Sequence, residues 1–229
     1  MSRLTFILGG ARSGKSELAL RMAVASARPV TYIATALPGD DEMAARIADH
    51  QAQRPSSWTT IEEPLAISGA LRKAGERDFI ILDCLTLWVS NLILEGATEY
   101  SIIARLTDVL ESHARTPRHL CIVSNEVGLG IVPDNPLARA YRDALGRANR
   151  AVAAAAERTL LVVAGLALDL KPAGARPIED FGRLPTVGIK RTTPTAGGQP
   201  AARGEPQDGD NPPAHPEFIE GMSGPATSG

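Results

Sequence analysis

Four residues carry the first chemical signal. Gly9, Gly14, Lys15 and Ser16 stand in the spacing G-x-x-x-x-G-K-[ST] within GGARSGKS, residues 9–16. Glycines at those positions let backbone N–H groups curl around a phosphate chain, and the helix that follows aims its positive end at the same place. Lys15 is placed to neutralise β- and γ-phosphate oxygens, and the Ser16 hydroxyl to ligate Mg2+. The context suits this reading, because the loop follows the apolar run LTFIL and opens an Ala/Leu-rich stretch.

A phosphate loop needs an acid for the metal. FIILDC sets Asp83 at the end of an apolar run, where ligands gather in α/β sheets. Asp83 is therefore expected to hold Mg2+; it can equally cap the helix that follows, and the two roles are compatible. LCIVSNEVG presents Asn125 and Glu126 at the end of another such run. Glu126 can orient metal-bound water or take the proton of an acceptor hydroxyl, or it can simply cap a turn. The Gly- and Pro-rich GLGIVPDNP that follows suggests a shaped loop, either a wall of the acceptor site or a subunit contact. The Asn-Lys-x-Asp signature of regulatory GTPases is absent, which disfavours a GTPase switch but not GTP itself.

A second constellation lies in DDEMAARIADHQAQRP, residues 40–55. Asp40 and Asp41 suit a helix start and Glu42 its first turn. Arg46, His50 and Arg54, spaced i, i+4 and i+8, fall on one helical face, and Met43 and Ile47 form a separate apolar stripe. The arginines offer forked donors to phosphate oxygens. A neutral imidazole between them is a nucleophile, and attack on an α-phosphate gives a nucleotidyl-histidine. On spacing alone an ordinary solvated face is the commoner meaning of such a pattern.

Five β-rich runs, at 4–8, 30–34, 79–82, 120–124 and 159–166, alternate with helical stretches near 15–27, 41–53, 64–74, 84–95, 100–114 and 136–157. Apolar strands separated by helices predict a mostly parallel sheet covered on both faces. The chain has 229 residues and a formal net charge of −2, so no basic field points to nucleic acid. Two distant cysteines, Cys84 and Cys121, argue against a zinc ribbon or a disulfide framework and read as small buried hydrophobes. Arg12 and Lys15 interrupt the first apolar stretch, and no run is long enough to span a membrane, so a reduced cytoplasmic protein is expected. From Pro172 to Gly229 the chain carries 10 of its 17 prolines and 10 of its 21 glycines. Such a segment buries too little apolar surface to offset its ordering entropy, which predicts one domain over residues 1–171 and a disordered tail over 172–229.

GGARSGKS, YIATA, DDEMAARI with its downstream histidine, DCLTLWVSNL and SNEVGLGIVP together resemble the bifunctional adenosylcobinamide kinase / adenosylcobinamide-phosphate guanylyltransferase family of cobalamin biosynthesis. The resemblance runs unbroken over about residues 3–171. It implies a RecA-like P-loop fold and a homotrimer. It implies phosphorylation of adenosylcobinamide with ATP or GTP, then transfer of GMP from GTP to adenosylcobinamide phosphate through a guanylylated histidine. That histidine falls on His50, where Asp49 replaces the first member of the histidine pair of some relatives. The family's nucleotide contacts fall on Gly9, Gly10, Ala11, Arg12, Ser13, Gly14, Lys15 and Ser16, and on Ala34, Thr35 and Ala36. They also fall on Gln51, Ala52, Gln53 and Arg54, on Glu62 or its neighbour Glu63, and on Asp83. A carboxylate at Glu62 or Asp83 can pair with guanine N1 and N2 donors. The tail departs from the family pattern. Two other readings fit the loop: a small-molecule kinase without nucleotidyl transfer, and a nucleotide-binding regulatory module.

Overall fold

The structure is a computed structural model that describes residues 3–39, 41–52, 54–175 and 178, apart from the side chain of Arg46. The expectations for Asp40, Gln53 and nearly all of the 172–229 tail fall outside those residues. The described residues belong to one compact unit, residues 1–183.

Seven strands form one sheet: β1 (Arg3–Gly9), β2 (Val30–Ala34), β3 (Thr59–Glu62), β4 (Phe79–Asp83), β5 (His119–Asn125), β6 (Arg158–Val163) and β7 (Leu166–Asp169). The helices are α1 (Lys15–Ala25), α2 (Asp41–Ala52), α3 (Ile67–Lys73), α4 (Leu85–Leu94), α5 (Glu99–Ala114) and α6 (Pro136–Ala155). The strand order is β3-β2-β4-β5-β1-β6-β7. All pairings are parallel except β6–β7. β5 thus separates the phosphate-loop strand β1 from the Asp83 strand β4, which is the RecA-like arrangement expected.

Period-two alternation sorts the strand residues onto two unequal faces. Leu4, Phe6, Ile33, Ile80, Leu82, Leu120 and Ile122 pack under α3, α4, α5 and α6, whose Trp88, Leu92, Leu106 and Leu145 are buried there. Ile7, Tyr32, Ala34, Ile81, Val123 and Val162 face the other way, against Ala19 and Ala23 of α1. That second face has a single tightly packed helix, so room remains beside α1 at the C-terminal ends of the strands.

Two elements differ from the sequence expectation. β3 was not foreseen, because an edge strand of four residues with little burial carries no apolar periodicity. The run at 159–166 is not one strand. It breaks at Ala164 (φ 50°) and Gly165 (φ 78°), two successive residues with positive φ, and returns as the antiparallel β7. A two-residue hairpin with both φ values positive matches the twist of its strands, but Ala-Gly lacks the usual Asn-Gly signal. Across that hairpin the Arg158 guanidinium meets Asp169 at 2.8 Å.

Candidate active site

The register draws the expected residues into one line. Ala34 of β2 pairs with Glu62 of β3 on one side and Asp83 of β4 on the other. Asp83 pairs with Val123, and Asn125 at the end of β5 pairs with Gly9. Glu62, Ala34, Asp83, Asn125 and Gly9 therefore end their strands at the same edge, where loops leave a parallel sheet and ligands bind. A cavity of about 680 Å³ opens there.

The phosphate loop forms one wall of the cavity. Ala11, Arg12, Ser13, Gly14, Lys15 and Ser16 line it. Gly14 has φ +99°, in the left-handed region, and Arg12 has φ 55°. A Cβ on Gly9 would meet the Val162 carbonyl of β6 at 2.2 Å, so Gly9 lets β6 pass close beneath the loop. The hairpin tip secures the loop from outside, Gly165 N–H donating to the Ser13 carbonyl at 3.0 Å. Lys15 is buried, and its Nζ donates to the Gly10 carbonyl (2.5 Å) and the Ser13 hydroxyl (3.5 Å). Burial lowers its pKa from the ordinary lysine value, opposed by Cys84 and Asp83.

Asp83 lines the cavity and does not cap α4. That cap is Cys84, whose Sγ accepts from Leu87 N–H at 3.4 Å. Burial, then the charge of Asp83, pushes the Cys84 thiol up to about 12, which keeps it protonated. Cys121 is buried as expected, whereas Cys84 is half-buried and lines the cavity. Thr35 is fully buried behind the site. Its hydroxyl donates to the Cys84 carbonyl (2.7 Å) and accepts from Cys84 N–H (2.9 Å), so it fixes the Asp83 corner from within the protein.

The opposite wall comes from α2. Met43, Ile47, His50 and Gln51 line the cavity together. This corrects the expectation of two separate faces: seven residues make nearly two turns, so Met43 and His50 share one face. The Arg46–His50–Arg54 stripe is also shorter than expected. α2 ends at Ala52, ahead of Pro55, and the residue before a proline is driven away from helical geometry. Arg54 enters the cavity from the bend after the helix, its guanidinium 3.7 Å from the Tyr32 ring centroid. Arg54 Nε and Nη1 are buried with no hydrogen-bond partner among the described residues. A half-buried guanidinium with two open, buried donors at a cavity wall is a site for an anion.

Glu62 and Glu63 turn to different partners. Glu62 lines the cavity and accepts from Gln51 Nε2 at 2.8 Å. Glu63 instead accepts from Leu65 and Ala66 N–H at 3.1 and 2.7 Å, ahead of α3. Ala34 and Ala36 line the cavity; Ala52 and Glu126 do not. The Glu126 carboxylate accepts from Gly128 N–H at 2.6 Å, which realises the turn-capping alternative in this conformation. Asn125 does line the cavity, and its N–H donates to the buried Thr86 hydroxyl at 2.7 Å.

Sequence reasoning missed Tyr32. It is buried on β2 and donates its hydroxyl to Asp83 Oδ2 at 2.5 Å. Burial, followed by the charge of Asp83, raises its pKa, so it stays a donor. The available signal was strand alternation, which sets Tyr32 on the same face as Ala34, the register partner of Asp83.

No helix among the described residues is long and apolar enough to cross a membrane, and none of their His, Cys, Asp and Glu side chains group in threes to hold a metal. A glycine loop after β1, a buried lysine and a carboxylate two strands away define a P-loop nucleotide-binding protein of RecA-like topology. A model of the cobinamide kinase / cobinamide phosphate guanyltransferase family matches residues 5–170. The chain is 47% identical over 166 residues to the bifunctional adenosylcobalamin biosynthesis protein CobP of Pseudomonas aeruginosa, covering 72% of this chain and 95% of that one. It is 36% identical over 181 residues to the bifunctional adenosylcobalamin biosynthesis protein CobU of Escherichia coli, covering 73% of this chain and 99% of that one. The RadB recombinase is a distant structural match, with a TM-score of 0.40 and 16% identity over 69% of this chain and 73% of that chain. The chain belongs to the cobinamide kinase / cobinamide phosphate guanyltransferase family.

Proposed function

We propose that this chain phosphorylates adenosylcobinamide with ATP or GTP and then transfers GMP from GTP to adenosylcobinamide phosphate, giving adenosyl-GDP-cobinamide and pyrophosphate. The observation that carries the reading is the sharing of one cavity by Lys15 and His50. A triphosphate seated on the loop lies in the same space as the imidazole that must reach its α-phosphorus.

In the kinase step the cobinamide hydroxyl attacks the γ-phosphorus, the nucleoside diphosphate leaves, and Lys15 neutralises the charge on the phosphate oxygens. Glu126, at the end of β5, takes the hydroxyl proton once its carboxylate exchanges Gly128 for the acceptor. In the second reaction a His50 ring nitrogen bonds to the α-phosphorus and the Pα–O–Pβ bridge breaks. Pyrophosphate carries away the electron pair. Arg54, with Arg46 as the other candidate, stabilises the added charge. A phosphate oxygen of the corrinoid then displaces the imidazole, which restores His50. Glu62 is suited to the guanine N1 and N2 donors, because Asp83 is held by Tyr32 at the phosphate end.

The Ser16 hydroxyl and the Asp83 carboxylate both line the cavity, and a hydroxyl plus one carboxylate is a donor set that suits Mg2+ sharing its shell with phosphates and water. When bound there, Mg2+ supplies charge neutralisation and alignment of the phosphates. Leu129, Ile131 and Val132 in the loop after β5 are largely exposed, and such an apolar cluster supports a contact between copies in a homotrimer. Acceptance of a corrinoid, rather than nucleic acid, and a cytoplasmic location complete the reading.

The test is incubation with [α-32P]GTP. An acid-labile label should form on the protein, chase into product when adenosylcobinamide phosphate is added, and vanish in His50→Ala. Absence of label under turnover conditions would leave a kinase without nucleotidyl transfer.

A further inference from the structure

We propose that Tyr32 is a positioning residue that couples the two ends of the nucleotide cavity: its hydroxyl orients Asp83, and its ring face holds the Arg54 guanidinium. The inference rests on the reading of Arg54 as the phosphate arm and of Asp83 as the metal carboxylate.

The geometry carries it in three ways. Tyr32 sits on the face of β2 turned toward α1, two residues before Ala34, whose register partner is Asp83. The phenol oxygen therefore reaches the carboxylate across the strand pair, at 2.5 Å. The donor fixes Oδ2, which restricts the rotation of the carboxylate. The second observation is Arg54, which has left the helix and has no secondary structure of its own to aim it. Its guanidinium lies 3.7 Å over the Tyr32 ring, while its Nε and Nη1 have no hydrogen-bond partner among the described residues. Stacking on an aromatic face orients a guanidinium without occupying its N–H donors, so they stay available to an anion. Finally, Tyr32 is 3% exposed. A phenylalanine would fill that volume equally well, so packing alone does not account for the hydroxyl.

The hydroxyl and the ring separate by substitution. In wild type, Tyr32→Phe, Tyr32→Leu, Arg54→Ala and the Tyr32→Leu/Arg54→Ala double variant, GTP affinity is measured by calorimetry in EDTA. The Mg2+ concentration for half-maximal [α-32P]GTP labelling is measured separately, with a melting curve for each protein. Tyr32→Phe keeps the ring, so its metal-free GTP affinity should stay within about twofold of wild type, while its Mg2+ requirement rises about fivefold or more. Arg54→Ala should weaken metal-free GTP binding about tenfold. Tyr32→Leu should weaken it roughly 3- to 30-fold, and the double variant should bind no worse than Arg54→Ala alone. If Tyr32→Leu does not fold, Arg54→Lys makes the same comparison. It keeps the charge but loses the flat stacking surface, and should weaken binding at least about threefold.

The proposal is overturned if Tyr32→Leu, or in its place Arg54→Lys, binds metal-free GTP like wild type. It is equally overturned if the two losses multiply in the double variant, or if Tyr32→Phe leaves the Mg2+ requirement unchanged. An Arg54→Ala variant with normal GTP affinity removes the reading of Arg54 and the proposal with it. A wild-type protein that takes no label defeats guanylyl transfer, yet the metal-free titrations still decide the coupling of Tyr32 to Arg54.

Discussion

Lys15 and His50 line one cavity; in the proposed reactions they act on different phosphorus atoms, so their variants should separate. Lys15→Ala removes the cation from the β- and γ-phosphates and is expected to lower phosphorylation of adenosylcobinamide by roughly 100- to 1,000-fold. His50→Ala should leave that phosphorylation measurable while abolishing GMP transfer, which parallel assays on the two purified acceptors will show. The loop residues were legible because their chemistry is local: glycine, lysine and serine at fixed spacing after an apolar run. Tyr32 was not, because its two partners are Asp83 and Arg54, and only the β2–β4 register and the end of α2 bring them to it. The wall shared by Met43 and His50 was hidden in the sequence for a simpler reason. Spacings of four set Met43–Ile47 apart from Arg46–His50, whereas the spacing of seven from Met43 to His50 brings the apolar stripe and the histidine onto one wall.

At the scale of elements, caps and close approaches decide stability. Asn135 caps α6, its side-chain oxygen accepting from Leu137 and Ala138 N–H at 2.8 and 3.4 Å, with Pro136 at the first helical position. Asn135→Ala should cost about 1 kcal/mol, or roughly 2–4 °C in a melting curve, with GTP binding unchanged. Gly9→Ala drives a methyl to 2.2 Å from the Val162 carbonyl. It should destabilise by about 1–3 kcal/mol and weaken nucleotide binding together, because strand and loop move as one. The helices and the central strands were readable from apolar periodicity. The edge strands were not, since β3 is polar and β7 hides inside a run that an Ala-Gly turn divides.

Across the whole molecule, charge is distributed so that the end of the sheet opposite the cavity responds to acid. His119 stacks on Phe79, with ring centroids 4.4 Å apart, and its Nε2 lies 3.0 Å from the Thr5 hydroxyl. Burial, then the charges of Arg28 and Arg3, lowers its pKa from 6.5 to about 4. Burial lowers His113 in the same direction. A folded pKa below the unfolded one means that the unfolded chain binds the extra proton. Stability is therefore complete above about pH 6.5 and declines as the pH falls toward about 4. The His119 contribution is on the order of 2 kcal/mol after discounting for partial exposure. Denaturant titrations between those pH values should show it, and His119→Gln should flatten the slope. All described residues lie within one unit, so a chain ending at Arg183 is expected to retain both reactions in the same assays. None of the described side chains of α2 is buried, whereas α4 buries Leu85, Trp88, Val89 and Leu92. The helix that carries His50 thus has little of the interior holding it down. Its amides should exchange with deuterium orders of magnitude faster than those of α4, and saturating GTP should slow them selectively.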